Sequence, residues 1–383
     1  MRLISLLVVA VLMLGGCVSG ARSSFAVQDR VRALPMGLTS IDPHPIRVYL
    51  DDERRLELFR RAFREGTGFR EGVSAGDDGV VDFLTLSGGG SNGAFTAGIM
   101  KGWTESGTRP DFEVVTGVST GALAAPFVFL GPEWDDELEE AYTGGAASAL
   151  LQPQGLNALV GSGLYKGEPL RALVERYVDE AMLQAVAAEF AKGRVLLVAT
   201  TDLDSQRGVS WDLGAIAAQG TPEALELFRT VLVASASIPG AFPPVLISSR
   251  NGDLLFEEMH VDGGVTTPFL AIPEALWSYR EPSRKLKSAR FHVVVNGRMG
   301  PSFAVTKDSL GGVLSRSIET LLRASLLTTL EGNRAFASRN EVFFRVASLP
   351  DDSTVSSLDF SPDSMRAVFE AGRTGALSGA IWR

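Results

Sequence analysis

Cysteine occurs once and histidine three times in 383 residues. A single thiol cannot form an internal disulfide, so an oxidising compartment adds nothing to this fold. One cysteine with three scattered histidines (His44, His260 and His292) also makes no ligand cluster for a transition metal. Blocks of basic residues are missing too. With 36 Lys and Arg against 45 Asp and Glu the formal charge is −9, which excludes the electrostatic footprint of a nucleic-acid binder. The apolar run near the start, LISLLVVAVLMLGG from Leu3 to Gly16, has 14 residues, short of the roughly 20 that a membrane-spanning helix needs. What remains is 45% hydrophobic and 21% charged. At about 100–200 residues per domain, that is enough to bury the core of one large domain or two smaller ones.

The short apolar run follows Arg2 and ends in Leu14-Gly15-Gly16-Cys17, so it reads as a secretory leader rather than an anchor helix. It resembles the bacterial lipoprotein signal, in which small residues admit the signal peptidase and the cysteine becomes the acylated N-terminus. The resemblance implies attachment to a membrane through acylated Cys17, by several chains because one alone binds only marginally. It places the protein in a bacterial cell envelope, on the periplasmic face or at the cell surface.

Four segments are expected: the leader over 1–17, a lead-in and linker over 18–79, a main domain over 80–300, and C-terminal helices and a strand over 301–383 that pack on that domain. In the lead-in, Leu56, Phe59 and Phe63 share one helical face after Asp51 or Asp52 as a cap. The acid pairs Asp77-Asp78, Asp135-Asp136 and Asp351-Asp352 read as solvated. The apolar stretches 310–332 and 147–161 read as a core helix and a packed loop.

From Val80 a pattern repeats. VVDFLTLS suits a buried strand, GGGSNG follows it, and AFTAGIMKGWTESG has helical spacing; FEVVTGV is a second strand, Ser119 stands at its end, and TGALAAPFVFLG follows as a second helix. Alternating strands and helices predict a parallel α/β sheet, with both glycine turns beyond the carboxyl ends of the strands, where such sheets bind ligands.

The turn GVSTG fits G-x-S-x-G, a spacing that arises roughly 0.4 times by chance at this glycine content, so its place between strand and helix carries the argument. There Ser119 would be held strained and exposed, and side chains at Gly117 or Gly121 would collide with neighbouring backbone. Successive N–H groups of Gly88, Gly89 and Gly90 could receive an oxyanion. A Cβ at Gly89 or Gly90 would then block the ester oxygen at little cost to the fold. GGGSNG also fits a dinucleotide fingerprint, but no acidic residue ends a strand about 20 residues on. The proton acceptor is open on spacing alone. Asp262 follows a β-like stretch and precedes Gly263-Gly264, His260 lies on the same face of that strand, and His292 is the one histidine placed as the chain order of an α/β-hydrolase triad requires.

The segments GGGSNG (88–93), GVSTG (117–121) and DGG (262–264), in this order, resemble the three motifs of the patatin-like phospholipases. ASASIPGAFPPV (234–245) is similar to the block before that family's aspartate, and the resemblance spans residues 80–300. It implies a patatin-like three-layer α/β core with a mainly parallel central sheet, related to the α/β-hydrolases. It further implies acyl-ester hydrolysis on lipids of the phospholipase A or lysophospholipase type, Ser119 as nucleophile, Asp262 as its dyad partner without histidine, and Gly88–Gly90 as oxyanion hole. Gly93, Gly117, Gly121, Gly263 and Gly264 support the motifs. Asn92 departs from the family, which often has Lys or Arg there; an amide keeps a hydrogen-bond donor but no charge. No cofactor or metal is implied, and the partner is a lipid substrate. Two other readings stay open: a His-dependent serine esterase, and an inactive membrane-tethered lipid-binding lipoprotein.

Overall fold

The computed structural model describes Arg22 and residues 33–39, 45–53, 79–155, 162–277 and 289–383. The expected leader with Cys17, the lead-in face of Leu56, Phe59 and Phe63, His44 and the pair Asp77-Asp78 lie outside the described residues. In chain order the strands and α-helices are β1 (Leu34–Pro35), β2 (Arg47–Tyr49), β3 (Val81–Leu86), α1 (Ala94–Glu105), β4 (Val114–Val118), α2 (Thr120–Leu130), α3 (Asp135–Thr143), α4 (Glu168–Tyr177), α5 (Glu180–Ala191), β5 (Val195–Asp202), β6 (Arg207–Asp212), α6 (Leu213–Ala217), α7 (Pro222–Ser235), β7 (Val245–Asn251), β8 (Leu254–Asp262), β9 (Ala289–Arg298), α8 (Leu310–Asn340), β10 (Phe343–Leu349) and α9 (Pro362–Leu377).

Strands β10, β9, β3, β4 and β5 form the parallel centre of the sheet. Their apolar side chains point alternately to two helical layers, as a strand's period of two requires. Leu84, Leu86, Val115, Leu196, Val198 and Val294 pack toward α1, α2 and α9, against residues such as Phe95, Ile99, Val128 and Phe369. Phe83, Val114, Val195, Phe291, Val293 and Val295 pack on the other face, against Leu330 and Phe336 of α8. The result is a three-layer α/β architecture.

Beyond the parallel centre, β5 has two partners on one edge. β4 pairs with it from Val114↔Val195 to Val118↔Ala199, while β6 takes the opposite edge over Leu197–Asp202. β8 pairs antiparallel with Thr200–Asp202, where β6 is still bound, so it lies on the β4 side. β4 and β8 therefore approach each other end to end along β5, with Val118 opposite Ala199 and Asp262 opposite Thr200.

Two expectations fail. Asp135 is not solvated: it is buried, pairs with Arg109 at 2.7 Å and accepts a 2.7 Å hydrogen bond from Thr104. The sequence 310–332 is not a core helix throughout. Leu330 is buried, but Leu310, Val313, Leu314, Ile318, Leu321 and Leu322 are exposed. α8 must return from the end of β9 to the start of the parallel strand β10, and its final turns suffice for that. Asp351, by contrast, is exposed and accepts the Gly300 N–H at 2.9 Å.

Buried charge ties the antiparallel flank together. Arg47 of β2 pairs with Glu258 of β8, both side chains almost wholly inside. Ser249 donates to the same carboxylate at 2.9 Å. Burial pushes the Glu258 carboxyl up, but neighbouring His260 and the Arg47 guanidinium outweigh it and hold it at about 2. At the other side of the sheet, Arg383 exchanges two 2.9 Å backbone hydrogen bonds with Val346 of β10. Trp382 next to it packs at a tilt against Trp103 and lies under the Arg345 guanidinium.

Arg47→Met should leave Glu258 buried without its cation and lower stability at neutral pH by about 3–5 kcal/mol. The depressed carboxyl stabilises the fold above its ordinary value of 4.5, and this contribution is lost as pH falls toward about 2. Thermal unfolding followed across that range should show a smaller pH dependence in the variant than in the parent.

Candidate active site

Ser119 stands between β4 and α2 with φ 57° and ψ −127°. A left-handed φ is uncommon outside glycine and costs on the order of 1–3 kcal/mol, so the surroundings must enforce it. They do so from both sides of the backbone. The Ser119 N–H donates to Ser235 Oγ at 3.0 Å, and Ser235 Oγ donates to Ala199 O at 2.6 Å. The Ser119 carbonyl accepts from Ala122 and Leu123 at 2.9 and 3.2 Å, closing the first turn of α2. A side chain at Gly117 would sit 2.5 Å from Gly121 O, and one at Gly121 would sit 2.5 Å from Leu86 O. Both glycines therefore set how closely strand, turn and glycine loop stack.

Asp262 ends β8 and is buried. Its N–H donates to Ser237 O at 2.9 Å, and its Oδ1 accepts the Gly264 N–H at 2.7 Å. The Ser119 side chain lies close enough to this carboxyl to act on its proton affinity. Burial raises the carboxyl to about 6, against the lowering effect of the nearby Ser119 side chain and of the Gly264 N–H. Gly263 lies against Ala199, where an added Cβ would overlap the carbonyl. The end-to-end meeting of β4 and β8 thus brings the two side chains together in a dry site.

The third segment closes over the serine. Gly88 is packed so that a Cβ there would be 3.1 Å from Ser119 Cβ and 3.7 Å from its Oγ. The Gly88 N–H makes a long 3.4 Å contact to Pro268 O. The N–H groups of Gly89, Gly90 and Thr120 have no acceptor among the described residues. Gly90 has φ 58°, and a short 3₁₀ turn over Gly90–Gly93 leads into α1. A Cβ at Gly89 would overlap Asn296 O, and one at Gly90 would overlap Ser357 O. Such substitutions therefore strain the fold as well as the turn, contrary to the expectation of little structural cost. Gly93 abuts Thr120 and Tyr142. Asn92 is buried beside these glycines, and its Oδ1 has no hydrogen-bond partner among the described residues.

Neither described histidine reaches the pair. His260 Nδ1 bonds the Thr200 hydroxyl at 2.9 Å, and its Nε2 lies 3.8 Å from Glu258. His292 is buried in mid-sheet: Nε2 bonds Asp82 at 2.7 Å and Nδ1 accepts from Arg345 Nε at 2.7 Å. The second bond requires an unprotonated Nδ1, so His292 is the neutral Nε2–H tautomer. Burial lowers its pKa in agreement with that.

Residues 84–273 match the family model described as Patatin-like phospholipase. This segment of the chain is a patatin-like phospholipase domain. Among solved structures, VipD from Legionella pneumophila is similar, with 13% identity, a TM-score of 0.43, and coverage of 81% of this chain and 70% of that one. No curated protein matches the chain.

Sequence reading missed three residues that build the patatin-like site. Ser235 supports the serine backbone, although it lies in the quoted stretch ASASIPG. Ser87 and Asn296 carry the glycine turn. Asn296 Nδ2 donates to Ser87 O at 2.8 Å, its N–H donates to Ser87 Oγ at 2.9 Å, and its Oδ1 accepts from Thr96 at 2.7 Å. The only signal was a polar residue after VVV at the end of an apolar strand.

Asn296→Ala would leave the buried Ser87 carbonyl and Thr96 hydroxyl without these partners. The expected loss is about 1–3 kcal/mol of stability, read as a lower melting temperature, together with slower turnover of a short-chain ester in protein that remains folded.

Proposed function

We propose that the protein hydrolyses acyl esters of lipids through a Ser119–Asp262 dyad and an acyl-enzyme. The observation that carries this reading is the meeting, in a buried site, of a strained serine at a strand–helix turn with a carboxyl raised to about 6. In the ionised form Asp262 takes the Ser119 proton as Oγ attacks the ester carbonyl. The oxyanion forms against the N–H groups of Gly89 and Gly90, with the Thr120 N–H at the start of α2 as a further donor; such donors are worth about 2.7–4 kcal/mol each. Protonated Asp262 then gives its proton to the departing alkoxide. Water, deprotonated by the same carboxylate, attacks the acyl-enzyme and frees Ser119.

The substrate class follows from the family, in which lipid acyl hydrolysis is the common activity. We assign this chain to the phospholipase A or lysophospholipase type. A neutral Asn92 places less weight on an anionic headgroup than a basic residue would. Profiling the products from phospholipids, lysophospholipids and neutral glycerides tests the assignment directly. The His-dependent alternative has no geometric support: His292 spends both ring nitrogens on Asp82 and Arg345, and His260 bonds Thr200 through Nδ1 and faces Glu258 with Nε2. We further propose that acylated Cys17 tethers the mature chain to a membrane of the bacterial envelope.

Ser119→Ala and Asp262→Asn are each expected to lower kcat by ~10⁴-fold or more, because the two side chains act as one unit. Parent turnover should rise with pH through about 6 as Asp262 ionises, when followed with an ester whose own hydrolysis is pH-independent there. Folded His260→Gln and His292→Gln proteins should keep most of their turnover. Loss in either of these with activity retained in Asp262→Asn would refute the dyad.

Cys17→Ser should abolish incorporation of radiolabelled fatty acid into the protein. It should also leave an uncleaved precursor on a gel.

A further inference from the structure

The N-terminal half of α8 projects past the sheet on the side that holds the serine. At Arg323 the helix is level with the end of β9, because Arg323 donates to Gly300 O at 3.2 Å and to Met299 O at 2.7 Å. β9 runs parallel to β3 and β4, and Asn296 near its end supports the glycine turn beside Ser119. The stretch from Leu310 to Arg323 therefore overhangs this edge by about 20 Å at 1.5 Å per residue.

The overhang is amphipathic. At about 100° per residue, Leu310, Val313, Leu314, Ile318, Leu321 and Leu322 fall on one half of the helix, and Arg316, Glu319, Thr320 and Arg323 on the other. Every member of the apolar half is exposed, Leu310 by 78% and Leu321 by 69%. Arg316 holds Ser302 O and keeps the preceding segment alongside, where Phe303 is 95% exposed and Val305 86%. Residues 298–327 carry four basic and two acidic side chains in a chain whose net charge is −9. A monomer in water gains nothing from such a surface. Among the described residues no helix is long and apolar enough to cross a membrane.

We infer that the overhanging half of α8, with Phe303 and Val305, lies in the plane of a lipid bilayer and sets the Ser119 edge of the sheet onto it. An exposed apolar half-cylinder backed by a polar half is the chemistry of an in-plane interfacial helix, and net basic charge on an acidic protein selects an anionic lipid surface. The same edge carries the site, so a helix bedded in the headgroup layer shortens the path of a lipid ester from bilayer to serine. The choice of a bilayer over another apolar partner rests on the lipid-ester reading of that site.

Hydrogen exchange of the full chain tests the inference, with and without vesicles of phosphatidylglycerol and phosphatidylethanolamine. Residues 303–322 should become protected on vesicles. The double variant Leu314→Glu/Leu321→Glu alters only exposed side chains; it should lose that protection and hydrolyse vesicle-borne lipid at least roughly tenfold more slowly, with turnover of a water-soluble short ester unchanged. Vesicle-bound protein in which 303–322 exchanges as fast as in buffer overturns the inference. So does protection that appears without vesicles and fades on dilution, which assigns the surface to a second copy of the chain. Protection on vesicles with no ester hydrolysed supports the surface and refutes the lipid-ester reading instead.

Discussion

The site depends on the way two strands share one edge of β5. β4 comes up that edge in parallel and stops at Val118; β8 comes down it antiparallel and stops at Asp262. Side chains at two facing strand ends need no long loop to meet, and the backbone that holds them is tied into the same ladder. Ser119 can then keep a left-handed φ because its N–H is fixed through Ser235 to Ala199, a residue of β5 itself. Strain, position and the facing carboxyl are all referred to one strand, which is why the pair can be held with little freedom.

Burial does two opposing things along that flank. At Asp262 few groups compensate for the lost water, and the carboxyl rises to about 6, a value suited to a base working near neutrality. At Glu258, four residues earlier on the same strand, His260 and the Arg47 guanidinium more than compensate, and the carboxyl falls to about 2. One strand thus carries a structural carboxylate and a poised one, and the neighbours rather than the depth decide which is which.

Much of this was legible in the sequence. Uninterrupted apolar runs before each glycine turn gave the parallel strands, and the expected helix 120–131 matches α2 to within one residue. Periodicity could not say that Asp262 faces Ser119, because that depends on the pairing of β8 with a strand sixty residues before it; only the order of three short motifs pointed there. Ser235 and Asn296 were invisible because a serine in a helix and an asparagine after a strand have ordinary local readings. Asp135 was misjudged because its partner, Arg109, lies on a different element. The first half of α8 was misjudged because an apolar stripe in sequence says that something is to be covered, not that this chain covers it.

The pairing of Arg383 with Val346 bears on solubility. A parallel sheet whose outermost strand is open offers a row of free amides and carbonyls to any other extended chain. Here the backbone of Arg383 fills the middle of that row on β10, and Trp382, wedged among Trp103, His292 and Arg345, keeps it in place. These residues act as a stopper on the sheet. Anything that pulls them away would expose a template for strand addition on a protein that is otherwise well folded.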